Sequence, residues 1–78
     1  MPTVLRLRGY RFFFFSLEGT EPPHIHIEKA GNYAKFWLSP VMLARTRGFR
    51  ASELRELREI VEAKQSLFED KWNEHFGH

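Results

Sequence analysis

Two histidines stand two residues apart in the run Pro22-Pro23-His24-Ile25-His26-Ile27-Glu28. In an extended strand, residues i, i+2 and i+4 share one face. His24, His26 and Glu28 therefore point one way, and Ile25 and Ile27 the other. Burial of the isoleucines sets the register, because a slip of one residue would exchange the two faces. Pro22 and Pro23 stiffen the approach to the strand and donate no backbone hydrogen bond there.

Three chemistries fit such a pair. Two imidazoles about 6–7 Å apart on one strand face can divide general acid–base work on a phosphodiester, one accepting a proton while the other gives one. Arg6, Arg8 and Arg45 are then the candidates for neutralising charge on the phosphoryl oxygens. Alternatively, His24 and His26 can ligate zinc or another divalent ion, with Glu28 or the more distant His75 as a third ligand. The third use is architectural, with the rings bonded to loop carbonyls. Histidine two residues from histidine is a short motif, and it does not choose among these. His75 and His78 read as surface residues near a helix C-terminus, where the dipole favours them.

What must position the pair is a small fold. A chain of 78 residues is a single domain, burying about 60% of its unfolded surface, so a partner helps it. It has no cysteine, which excludes disulfides, thiolate nucleophiles and zinc ribbons. It has no apolar run of spanning length and no charged-then-apolar leader, so a soluble cytoplasmic protein without a membrane partner is expected. Charge is uneven along the chain. Residues 1–50 hold eight Lys and Arg against three acids, and residues 51–78 hold four against seven. A basic face meeting phosphates or an acidic partner is one consequence; an ordinary solvated surface is the other.

Val4 to Arg8 alternates apolar and charged residues, the period of a half-buried strand, with Arg6 and Arg8 on one face. Gly9-Tyr10 offers a turn. The run from Tyr10 to Leu17 reads as an aromatic-rich second strand, and its phenylalanines Phe12, Phe13, Phe14 and Phe15 send rings to both faces. A chain this small is not expected to bury all four, which makes them, with Trp72, candidate interface residues. Glu18 to Pro23 is a loop. His24 to Glu28 or Lys29 is the third strand, Ala30 to Asn32 a hairpin turn, and Tyr33 to Leu38 the fourth strand. Val41 to Arg45 makes a short fifth strand, which Pro40 assigns to an edge.

Beyond Gly48 the chain reads as helix. Ser52 is the expected N-cap, with Glu53 and Glu56 suiting the dipole in the first turn. Leu54, Leu57, Val61, Phe68 and Trp72 form one apolar stripe. The stripe is interrupted at Lys64 and Gln65. A straight helix from Ser52 to Phe76 would run about 37 Å, so a bend or break is expected between Ala63 and Ser66. Arg55 and Arg58 stand i,i+4 from Glu59 and Glu62 on the outer side. The expected fold is therefore α+β, with residues 1–46 as an antiparallel sheet of four or five strands. Residues 51–76 form a C-terminal helix or bent helix pair packed on one face.

The runs "MPTVLRLRGYRFFFFS", "EPPHIHIEK", "AKFWLSPV" and "LFEDKWNEHFG" resemble the small bacterial domain-of-unknown-function 4160 family, whose P-P-H-x-H signature is matched by Pro22, Pro23, His24 and His26. The resemblance covers nearly the whole chain. It implies an intracellular bacterial protein encoded beside a second small protein, the pair forming a toxin–antitoxin-type module. It implies no established activity. Arg6, Arg8, Arg45 and Arg47 make this chain more basic than the resemblance suggests. The expected function is partner binding, as a homodimer or with a small acidic protein, joined by metal-independent action on RNA through His24 and His26. The alternatives are a non-enzymatic interaction module and a small metal-binding protein.

Overall fold

A computed structural model of the chain describes residues 3–15 and 19–77. Five strands come first: β1 (Thr3–Leu7), β2 (Tyr10–Phe13), β3 (His24–Lys29), β4 (Asn32–Leu38) and β5 (Val41–Arg47). Each pairs antiparallel with the next, so the sheet order is β1-β2-β3-β4-β5 and β1 and β5 are its edges. Two helices follow, α1 (Ala51–Ala63) and α2 (Gln65–Phe76). This is the α+β architecture that the sequence predicts, with the larger of the two strand counts. The second strand ends at Phe13, so Phe14 and Phe15 are not the strand residues the sequence reading made them; its expected continuation through Ser16 and Leu17 lies outside the described residues, as does His78.

Period-two alternation builds the core. Tyr10, Phe12, Ile25, Ile27, Ala34, Phe36 and Leu38 face the helices, which bury Leu57, Ile60, Val61, Phe68 and Trp72 against them. Phe49, from the β5–α1 connection, packs on Tyr10 with ring centroids 5.9 Å apart. Among the described residues, no helix is long and apolar enough to cross a membrane.

Three further local features differ from the sequence reading. Arg8 is not a strand residue sharing a face with Arg6. It has a φ of 54° and, with Gly9 at 84°, closes the β1–β2 hairpin, the left-handed pair that a two-residue hairpin loop requires. That turn swings the Arg8 guanidinium onto α1, where it meets Glu56 at 3.0 Å. The cap of α1 is Arg50, not Ser52: its backbone N–H donates to Glu53 Oε1 at 2.9 Å. Burial of Phe49 immediately before the cap fixes where the helix can begin, as hydrophobic residues flanking an N-cap commonly do. Among the described residues, neither Arg55–Glu59 nor Arg58–Glu62 closes an ion pair.

The break between helices falls at Lys64, within the expected stretch. Gln65, which interrupts the apolar stripe, has a task there: its side-chain amide donates to the Leu38 carbonyl, tying the start of α2 to the end of β4. β5 carries a bulge opposite Lys35 and Phe36. Its last four residues, Ala44 to Arg47, are exposed.

Candidate functional site

The face of the sheet turned away from the core carries the histidines, as the alternation predicts. His24 stands opposite Trp37, His26 opposite Phe13 and Lys35, and Glu28 opposite Arg11 and Tyr33. Yet this face is not open over the pair. His24 is 0% and His26 1% exposed. A ring layer made by non-local segments covers them. The Trp72 ring, from α2, lies 4.8 Å from His24, and Phe15, just past β2, lies 4.4 Å from His26. The two imidazoles meet edge to face at 4.9 Å.

Each ring is also bonded. His24 Nδ1 lies 2.9 Å from the Pro22 carbonyl; a carbonyl only accepts, so Nδ1 carries the proton. The Glu21 carboxylate stands 4.0 Å from the same nitrogen. His24 Nε2 is shielded from solvent. His26 Nδ1 shares a 2.7 Å hydrogen bond with the Tyr33 hydroxyl, and its ring stacks between Phe13 at 5.4 Å and Tyr33 at 5.8 Å.

Above this layer lies a layer of cations. Arg11 sits over Phe13 at 4.4 Å, Lys35 over Trp37 at 4.6 Å and Arg45 over Tyr33 at 5.6 Å. Arg11 is fixed by Glu28 at 2.8 Å and by Thr3 at 2.8 Å; Lys35 is fixed by Glu21 at 2.7 Å. Arg6 lies opposite Arg11 on β1 and lines a shallow depression of about 490 Å³ with Arg11, Glu28 and Lys29. Arg45 lines a groove of about 550 Å³ with Phe15, Tyr33, Thr46 and Arg47. So Arg6 and Arg45 share the histidine face, whereas Arg8 does not.

The model family "Domain of unknown function (DUF4160)" matches residues 9–73. The chain belongs to it. No curated protein and no solved structure matches the chain. The match takes in β2 to β5, both histidines and most of the helical layer, while the first strand of this DUF4160 member precedes the matched residues.

The remaining candidates divide cleanly. His24, His26 and Glu28 share a face, but Glu28 is engaged with Arg11, and the described residues hold no group of three His, Asp or Glu able to take a metal. Of the candidate interface residues, Phe12, Phe13, Phe14 and Trp72 are at most 2% exposed, buried within the chain itself, and Phe15 is 38% exposed. Of the four phenylalanines three are thus covered by the chain itself, with α2 packing on Phe12 and Phe14, and Phe15 is the one left exposed. Sequence reasoning missed Tyr33 and Trp37 as neighbours of the pair. The signal was present in the β4 alternation, which puts Tyr33, Lys35 and Trp37 on the histidine face.

A separate polar cluster joins the β1–β2 turn to α1. The Tyr10 hydroxyl donates to Glu56 Oε1 at 3.0 Å, and Arg8 Nη1 donates to Oε2 at 3.0 Å. Burial pushes the Tyr10 phenol up to about 12, and its bond to the Glu56 carboxylate adds to the rise. The bonds from Tyr10 and Arg8 hold the Glu56 carboxyl below its usual value.

Proposed function

We propose that the chain is a non-catalytic binding module that meets a small acidic protein on the outward face of its sheet, within the two-protein, toxin–antitoxin-type arrangement that the family resemblance implies. The observation that carries this reading is the burial of both imidazoles, 0% and 1% exposed, beneath rings and cations. General acid–base groups must come within hydrogen-bond reach of a substrate, and these lie under Phe15 and Trp72. The same burial favours the histidines as scaffolding for the cations above them. Arg6, Arg11, Lys35, Arg45 and Arg47 share that face with Glu28, while residues 51–78, which span both helices, hold more acids than bases. A surface of one sign steers encounter with a partner of the other.

The test is co-purification with the second small protein that the family resemblance implies, at low and high salt. Arg6→Glu combined with Arg47→Glu should abolish the complex while leaving the melting temperature near native. A complex indifferent to these reversals overturns the reading. Ribonuclease activity in chelator that is lost in a still-folded His26→Gln variant would restore catalysis. A full equivalent of zinc in untagged protein, lost in that same variant, would restore the metal site.

A further inference from the structure

The groove between Phe15 and β5 combines two kinds of side chain that an acidic protein surface does not require together. Its lining is Phe15, Tyr33, Arg45, Thr46 and Arg47, around about 550 Å³. Tyr33 and Arg47 are cross-strand partners, so a ring and a guanidinium stand side by side on one face. Arg45 reaches over the same ring. Among the described residues, no carboxylate forms an ion pair with Arg47.

Tyr33 is also held from beneath. His26 stacks against it at 27° between ring planes and bonds its hydroxyl at 2.7 Å. Phe15 packs on that same imidazole. The buried histidine therefore fixes both aromatic walls of the groove, so their ordering is settled before any ligand arrives.

From these features we infer that the groove is a nucleotide subsite. It takes an aromatic base against the exposed Phe15 and the half-buried Tyr33 and a phosphate on Arg47, with Arg45 beside it. Guanidinium forks match phosphate oxygens, and rings interleaved with cations are the usual platform for single-stranded nucleic acid. His26 is a positioning residue here, acting through Tyr33. The source of the nucleotide is either a free nucleoside monophosphate or one unit of a single strand. The inference does not rest on the acidic-protein reading, and either can fail alone.

The probes are a fluorescein-labelled single-stranded uridine dodecamer, free UMP, and a polyglutamate peptide of the dodecamer's charge. Binding is read by anisotropy and calorimetry from about 50 mM salt upward. Native protein should bind the dodecamer, or UMP if the ligand is free nucleotide, and should prefer it to polyglutamate. Arg47→Ala should weaken dodecamer binding about tenfold and lower the salt slope by about one. Tyr33→Leu should weaken it about tenfold with the slope unchanged, whereas Tyr33→Phe, which keeps the ring, should stay close to native. Thermal melts accompany each variant. No binding of either nucleotide probe overturns the inference. So does equal binding of polyglutamate, or a Tyr33→Leu protein that is folded and binds like native.

Discussion

Replacing His26 by alanine separates an architectural imidazole from a catalytic one. The ring is 1% exposed and touches Phe13, Phe15, His24 and Tyr33. Truncating a buried phenylalanine costs about 3–5 kcal/mol; the smaller imidazole belongs at the low end, about 3 kcal/mol. Loss of the Tyr33 bond adds less than about 1 kcal/mol, because Tyr33 is half-buried and water can take the partner's place. A domain of this length is stable by about 4–12 kcal/mol, so the loss is a large fraction of the whole. At a urea dependence of about 1 kcal/mol per molar, the unfolding midpoint should fall by about 3 M. His26→Phe keeps a ring in the stack and should lose only about 1–2 kcal/mol. Urea titration followed by circular dichroism and tryptophan fluorescence reads both variants. A His26→Ala midpoint within about 0.5 M of native would refute the reasoning, since the ring would then not be a packing element.

Other outcomes follow from the rest of the molecule. Because the Tyr10 phenol titrates near 12 when folded and near 10 when unfolded, its contribution is complete below pH 10. Between pH 10 and 12 the unfolded chain gives up that proton first, so this contribution is lost as pH rises through the window; denaturation titrations on native and Tyr10→Phe protein should show the variant lacking this slope. Glu56, held below its usual value by Tyr10 and Arg8, acts in the opposite sense: its contribution is present above pH 4.5 and lost as pH falls through the folded value, so Glu56→Gln should flatten the acid limb of the same titration. Gly48→Ala should destabilise by about 2–3 kcal/mol, since φ is +94° and a Cβ would collide with the Asn32 side chain; Gly31→Ala, at φ +82° with open space around it, should cost about 1 kcal/mol, and calorimetric melting compares the two. Gln65→Ala removes the tie to the Leu38 carbonyl and should cost about 1 kcal/mol, with faster amide exchange in the first turn of α2.

Short-range rules carried most of the architecture. Alternation placed His24 and His26 on the face opposite Ile25 and Ile27, and the interruption at Lys64 and Gln65 marked the helix break. What alternation does not contain is cover. Phe15 reaches His26 across a loop, and Trp72 reaches His24 from a helix nearly fifty residues away, so a pair that reads as presented is enclosed. Arg8 escaped for a related reason. Its alternation with Arg6 is that of a strand, but the glycine that follows turns it into the first residue of a tight hairpin loop, and its partner is Glu56 on α1. Ser52 is a good capping type, yet the buried Phe49 had already decided where the helix starts.

The position of β5 at the rim of the sheet gives Arg45 and Arg47 a second duty. A strand with no neighbour on one side offers its backbone as a template on which a strand from another molecule can grow, and charged side chains and bulges make that growth unfavourable. Here the bulge near Phe36 and the alternating Arg45-Thr46-Arg47 segment stand at that rim. Stripping both arginines would remove the groove's charge and its guard together, leaving Met42, 50% exposed, on an unprotected border. Such a protein would polymerise edge to edge more readily than native, and its light scattering would rise with concentration even while its monomer stayed folded.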